Sequence, residues 1–252
     1  MSETGPRFPP SPGGLARFQT DLFLPRYRPA RSGDWELRVA EMAIMPGYWS
    51  GPVLVEQMAV LLRGGEAWMS ITPFELESQG LGVREGRGHV LIFGLGLGWA
   101  ACASAALPGV EAVTVVERDP DVLALHRALD IFAQLPAEAQ GKVRLIEGDA
   151  FAYVPDRPVD LLLPDIWLPL VSEGRVDEVR AMQANVGAAR IHFWGQELEL
   201  ARHAVAAGRA LDAAGIAATI ADWGLPLAGT HDPAYPERLG AAAHHWMDGR
   251  WF

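Results

Sequence analysis

Three glycines at alternate positions, Gly94, Gly96 and Gly98, follow the short apolar run His89–Phe93 and precede a helical pattern from Trp99 to Ala106. Glycine lets a chain turn sharply and lets a ligand reach the backbone without a Cβ in the way. The first N–H groups of the following helix have no partner inside it, so a nucleotide or an amino-acid carboxylate can use them. The dinucleotide fingerprint places its third glycine one residue later, where this chain has the bulky Trp99. That substitution argues against a nicotinamide dinucleotide.

Three carboxylates fall at the ends of successive apolar runs. Glu117 closes Ala112–Val116, where an acid can accept both hydroxyls of a ribose. The structural alternative is a solvated acid ahead of a helix, favoured by the helix dipole. Asp149 follows Val143–Ile146 and can accept from an adenine amino group, with the Ala150 N–H meeting the ring; the alternative is a helix cap. Asp165 follows Val159–Leu163 and Pro164. Burial at such a strand end moves an acid toward the range of a useful base, while the alternative is a cap on a loop.

Other groups could complete a site. Trp167 flanks Asp165, and Trp68, Trp99 and Trp194 lie near strand ends or the loop. An aromatic face attracts a sulfonium or ammonium by about 1–2 kcal/mol when water is excluded. Core packing is the ordinary role of any single Trp, and Trp167 is singled out because of its neighbour. Thr72-Pro73-Phe74-Glu75 spells a helix start, with Glu75 as the capping acid. Gln79 or Glu77 on that helix can reach the acceptor or the cofactor. His192, in the run Ile191–Glu197, suits proton transfer near neutral pH or packing within a strand, and Gln196 and Glu197 start a helix on the acceptor side.

The elements that must position these groups alternate strand and helix from residue 89 onward. Strands are expected at His89–Phe93, Ala112–Val116, Val143–Ile146, Val159–Leu163, Ala189–Trp194 and Ile216–Ala221. Helices are expected at Trp99–Ala106, from Asp119-Pro120 to Leu129, at Val176–Val186 and at Glu197–Leu211. That rhythm predicts an α/β, Rossmann-like fold: a mostly parallel sheet with helices on both faces. Upstream, Trp35–Met42, Met58–Leu62 and Glu66–Ile71 read as strands, with a Gly64-Gly65 hairpin turn. A short helix to Gln79 follows, then a linker marked by Gly80, Gly82, Gly86 and Gly88. The expected organisation is a loose arm over 1–14, an N-terminal β-rich region with a short helix over 15–85, and the Rossmann-like unit over 86–252.

Composition removes several chemistries. The chain has 252 residues, 50% of them hydrophobic, enough for a substantial core. Its net charge of −10 disfavours a nucleic-acid backbone as partner. Cys102 is the single cysteine, so one chain can form neither a disulfide framework nor a three-cysteine iron–sulfur site. Lys142 is the only lysine and opens a strand, which argues against a pyridoxal Schiff base. His244-His245 lacks acids at ligand spacing and reads as an exposed helix face, so no metal is expected. No run of eighteen apolar residues is present and the N-terminus lacks a signal pattern; the expectation is a cytoplasmic protein without a membrane partner.

The segments Gly94–Gly98, Val113–Pro120 and Glu147–Ala150 resemble class I S-adenosylmethionine-dependent methyltransferases, and the spermidine synthase-like branch in particular, over about residues 66–200. The chain is also similar to bacterial and phage methyltransferase-like proteins that share Trp-Met-Ser-x-Thr-Pro (Trp68 to Pro73) and Asp-Ile-Trp (Asp165 to Trp167). The resemblance implies S-adenosylmethionine as cofactor and S-adenosylhomocysteine as product, with no metal. It implies cofactor contacts at Gly94, Leu95, Gly96, Gly98, Glu117, Arg118, Asp149, Ala150 and Asp165, and acceptor contacts from Trp68, Gln79, Trp167 and Trp194. The acid at the position of Asp165 is the base that deprotonates the amine in spermidine synthases. Those enzymes also carry an acid in the glycine loop, where this chain has Leu97, a departure that weakens polyamine synthesis. The expected function is a transferase, most simply of a methyl group, acting on a small-molecule acceptor. The alternatives are aminopropyl or aminocarboxypropyl transfer, cyclisation or cleavage of the cofactor, and cofactor binding without catalysis. Such relatives often pair through their N-terminal region, which implies a homodimer.

Overall fold

The computed structural model describes residues 14–249, so all but the last residue of the expected N-terminal arm lies outside the described residues. Two four-stranded sheets organise the chain. The first is antiparallel in chain order: β1 (Ala30–Ser32), β2 (Trp35–Met45), β3 (Val53–Arg63) and β4 (Glu66–Ser70). Gly64 and Gly65 join β3 to β4 with φ of 56° and 90°, the left-handed pair that a two-residue hairpin demands. Both long strands outrun their expected lengths.

The second sheet is parallel, in the order β7-β6-β5-β8, formed by β5 (Gly88–Phe93), β6 (Val110–Glu117), β7 (Val143–Glu147) and β8 (Leu161–Pro164). Strands β5, β6 and β8 are apolar and largely buried, as a sheet covered on both faces requires, while the edge strand β7 is only half-buried. Helices α1 (Pro73–Arg84), α2 (Trp99–Ala106), α3 (Pro120–Leu129), α4 (Arg175–Val186), α5 (Gln196–Ala206), α6 (Ala213–Trp223) and α7 (Tyr235–Met247) complete the fold. The architecture is the Rossmann-like α/β fold that the strand–helix rhythm predicts, with the antiparallel sheet added at its N-terminal side. A single apolar cluster joins Trp35, Leu37 and Leu61 of the first sheet to Val90, Val113 and Val115 of the second, so the first sheet is packed onto the second.

Four local expectations need correction. Residues 216–221 are not a strand but part of α6. Ile216, Thr219 and Trp223 recur at helical spacing and are the buried face, and Asp212 caps the start by accepting the Gly215 N–H. Residues 189–194 are extended and bonded in parallel beside β8, through His192 N to Leu162 O and Trp194 N to Pro164 O, but as isolated bridges rather than a continuous strand. Helix α5 stops at Ala206, five residues before the expected end at Leu211. Gly80 and Gly82 do not punctuate a linker; α1 runs through both to Arg84. At Gly82 a Cβ would stand 2.6 Å from the ring of His192, so the glycine is there for close packing.

Candidate functional site

The parallel sheet reverses direction of growth at β5. From there the chain moves outward to β6 and β7, then returns to β8 on the other side. Such a switch point opens a crevice at the carboxyl ends of the strands, the place where open α/β sheets bind ligands. Phe93 pairs with Pro164, so the next residues on each strand, Gly94 and Asp165, stand side by side at that opening. Gly94 has φ of 92°, and a Cβ there would overlap the Asp165 carbonyl oxygen; only glycine fits.

Two connected cavities occupy the crevice. The outer cleft has about 1110 Å³ of free space, its open mouth included, and runs past Gly94, Gly96, Glu117, Arg118, Asp149 and Ala150. Its opposite wall comes from the first sheet: Trp35 and Trp68 meet edge to face at 5.4 Å between centroids, and the Arg63 guanidinium lies 5.2 Å from the Trp35 ring. The inner chamber, about 520 Å³ of free space with its opening included, is walled by α1, the glycine loop, the end of β8 and the segment 192–194. Met69, Glu75, Gly94, Asp165 and Trp194 line both spaces and mark the passage between them.

Glu117 is oriented by the backbone. Its Oε2 accepts the Leu95 N–H (2.8 Å) and its Oε1 the Asp119 N–H (2.7 Å), tying the end of β6 to the glycine loop. Each carboxylate oxygen keeps a second lone pair for the cleft. Asp149 accepts the Phe151 N–H through Oδ1 (3.0 Å), leaving Oδ2 for another donor. The glycine loop is covered from the first sheet by Met69, whose thioether sulfur accepts the Leu97 N–H at 3.2 Å. Trp167 is clamped: its indole N–H donates to Glu178 at 2.6 Å, and the buried Arg175 stacks 4.1 Å from its ring, leaving the Trp167 side chain as a wall of the outer cleft.

The inner chamber is where the carboxyls are perturbed. Glu75 and Gln79 are one turn apart on α1 and face the same way. Gln79 Nε2 donates to Asp165 Oδ2 at 2.8 Å and lies 3.5 Å from Glu75 Oε2. Burial, reinforced by the facing Asp165, pushes the Glu75 carboxyl up to about 8. Burial pushes Asp165 up to about 7, opposed by the positive charge of Arg175. Asp165 retains some accessible surface, but that surface borders the cavities rather than bulk water.

Gly94, Leu95, Gly96, Gly98, Glu117, Arg118, Asp149, Ala150, Asp165, Trp68, Trp167, Gln79 and Trp194 all border one cavity or the other. The capping role read for Glu75 is corrected: Thr72 makes no side-chain cap bond, and the Glu75 carboxyl points into the chamber. Glu77 does not reach a ligand either, because its carboxylate holds the N–H groups of Tyr48, Trp49 and Ser50. Gln196 and Glu197 do begin α5 but lie behind the chamber wall. His192 lines the chamber, and so does Trp99, though its N–H is taken up by the Phe23 carbonyl. The wall formed by Trp35 and Arg63 was not anticipated; nothing in their local sequence marks them.

No protein-family model matches the chain, and no curated protein matches it. Among solved structures it is similar to the DhpI–SAH complex, at 20% identity and a TM-score of 0.33 over 45% of this chain and 53% of that one. It is similar to the glycopeptide N-methyltransferase MtfA complexed with S-adenosyl-L-methionine, at 24% identity and a TM-score of 0.35 over 44% and 48%. A SAM-dependent methyltransferase from Thiobacillus denitrificans in complex with S-adenosyl-L-homocysteine matches at 24% identity and a TM-score of 0.32 over 46% and 45%. The match spans about half the length of each of these structures.

Proposed function

We propose that the chain is an S-adenosylmethionine-dependent methyltransferase, with the adenosine in the outer cleft and a small acceptor in the inner chamber. The observation that carries this reading is the continuity of the two spaces around Gly94. Glu117 and Asp149 line the outer cleft, and Gly94 with the perturbed carboxyls of Glu75 and Asp165 borders both spaces. The donor set fits the cofactor. Glu117 has free lone pairs for two ribose hydroxyls, Asp149 one oxygen for an amino group, and Trp167 an aromatic face. When bound, the sulfonium supplies an activated methyl carbon and a thioether leaving group.

The chain supplies position and proton acceptance. Asp165, held by Gln79, receives the O–H or N–H of the acceptor and orients its lone pair. With its carboxyl near 7, it is balanced between accepting and holding a proton at neutral pH. The Ile71, Val83, Ile92 and Leu163 side chains keep the chamber dry.

Aminopropyl transfer is the second reading, and one observation favours it. Among the described residues, no Lys or Arg lines the inner chamber, while Glu75 and Asp165 do, so an ammonium is a better occupant than a carboxylate. The test is calorimetry with S-adenosylhomocysteine, followed by incubation of the protein with S-adenosylmethionine, and separately with decarboxylated S-adenosylmethionine as the aminopropyl donor, and panels of amines, phenols and carboxylic acids. Release of S-adenosylhomocysteine marks methyl transfer, and release of methylthioadenosine marks the second reading. Absence of binding heat with the homocysteine product defeats both.

A further inference from the structure

Behind the inner chamber lies a buried polar cluster to which the cofactor and acceptor readings give no role. Glu197, in the first turn of α5, is fully enclosed, and its carboxylate collects groups from three other parts of the chain. The Tyr235 hydroxyl of α7 donates to Oε1 at 3.1 Å, and the Tyr48 hydroxyl, from the connection between β2 and β3, donates to Oε2 at 3.4 Å. His192 Nε2 lies 3.3 Å from Oε1. A carboxylate withdrawn from water is costly unless donors replace the water. Here two hydroxyls, the amino end of α5 and the imidazole provide them.

This arrangement decides where the imidazole carries its hydrogen. To bond a carboxylate, Nε2 must be protonated; a neutral ring then leaves Nδ1 with a bare lone pair. Nδ1 makes no hydrogen bond to a described residue, and the ring borders the inner chamber beside Gln79 and Asp165. The ring is also fixed in place. Gly82 lies so close on one side that a Cβ there would stand 2.6 Å from Cγ and Nδ1, and a Cβ on Gly229 would stand 3.4 Å from Cδ2 on the other.

We propose that His192 is a proton-accepting residue of the inner chamber, with Nδ1 as its basic atom, and that Glu197 is the positioning residue that holds the ring in its Nε2–H form. The inference rests on the reading of the two cavities as a transferase site. In the step it serves, the acceptor's O–H or N–H bond breaks and the proton passes to Nδ1. The freed electron pair forms the bond to the transferred carbon, and the carbon–sulfur pair stays with the departing thioether. The positive charge that arrives with the proton is countered by Glu197. The ionisable groups around the ring are Glu197 from α5, with Tyr235 of α7 and Tyr48 of the β2–β3 connection bonded to it, and Glu75 from α1 and Asp165 from the end of β8 across the chamber. Asp165 orients the acceptor and is one proton acceptor of the chamber, and His192 is a second that borders the same space.

The test is nitrogen-15 NMR of the full chain labelled at histidine, with His192→Gln identifying the His192 signals. The expected result at neutral pH is one tautomer, protonated at Nε2 and bare at Nδ1, with the Nδ1 resonance moving when S-adenosylhomocysteine is added. Glu197→Gln is expected to convert the single form into a mixture in which Nδ1–H appears. Where that variant fails to fold, Tyr235→Phe removes one of the groups that fix the carboxylate and is expected to weaken the tautomer preference in the same direction. A proton on Nδ1 in the unaltered protein overturns the proposal. So does an Nδ1 resonance that stays still while calorimetry on the same sample records binding, which is the behaviour of a purely structural ring. Absence of binding heat defeats the cofactor reading instead, and the tautomer then decides the proposal by itself.

Discussion

Glu117 and Asp149 receive backbone N–H bonds at the open outer cleft, whereas Glu75 and Asp165 are buried in the inner chamber and linked through the Gln79 amide. The two pairs stand on the same edge of the fold, and their difference is one of solvation. Where the backbone supplies donors, a carboxylate becomes a fixed hook for hydroxyl and amino groups. Where burial outweighs the donors, as at Glu75 and Asp165, the carboxyls rise to about 8 and about 7 and become able to exchange protons near neutrality. One edge of the sheet therefore offers a place to hold a ligand and a place to change one.

That contrast can be broken experimentally, beginning with the largest effect. Asp165→Asn keeps the shape and the Gln79 contact region but removes the carboxylate that orients the acceptor and can take its proton. Turnover with the acceptor found in the panels is expected to fall about 100-fold or more, with calorimetric affinity for S-adenosylhomocysteine changed less than about 5-fold. Equal losses in both would erase the distinction between the two spaces. Glu117→Ala should do the opposite, weakening S-adenosylhomocysteine binding about 100-fold, or about 2.7 kcal/mol. It takes away the carboxylate proposed to hold the ribose and leaves the Leu95 N–H unpaired.

Gly82→Ala probes the chamber wall alone. A methyl group pressed against the near end of the His192 side chain cannot be accommodated by a rotamer change. Urea unfolding is expected to show a loss of about 1–3 kcal/mol.

Proton linkage separates the regions by pH. Glu75 and Asp165 are raised in the folded state, so the folded protein binds more protons than the unfolded chain between their ordinary values and about 8. Their contribution is fully present below about pH 4 and is lost as pH rises through 7 to 8. The melting temperature is expected to fall by about 5 °C between pH 6 and pH 9, and Glu75→Gln should flatten that slope. The smallest effect belongs to Asp149→Ala, with about a 5-fold loss of S-adenosylhomocysteine affinity, because this exposed acid contributes one hydrogen bond beside water.

The sequence made the outer cleft far more legible than the chamber, for a physical reason. Glycines and acids at the ends of strands β5, β6 and β8, and just beyond β7, are positioned by local geometry, and a strand followed by a turn can be read residue by residue. The chamber is assembled from α1, β8 and residues 192–194, which no short-range pattern connects. Glu75 has the spacing of a capping box, and only the packing of α1 against the glycine loop and segment 192–194 shows that its carboxyl turns inward instead. The signal available was the i, i+4, i+8 stripe of Glu75, Gln79 and Val83, a polar pair continued by an apolar residue on one helical face. The strand expected at 216–221 failed because its β-branched residues also satisfy a helical period, and the Asp212 cap settles the competition. The linker reading of Gly82 failed similarly: its value is close approach to His192, which is invisible until the chain is folded.

Met69 brings an oxidisable atom into contact with the glycine loop. Its sulfur accepts the Leu97 N–H, and the same side chain lies at the passage between the two spaces. Conversion to the sulfoxide would add an oxygen and a new stereocentre where the fold has packed a soft, apolar atom. The loop would have to give way to a larger and more polar neighbour. Exposure to peroxide thereby reaches the glycine loop through a residue borrowed from the antiparallel sheet, and a reductase acting on that one thioether would restore it.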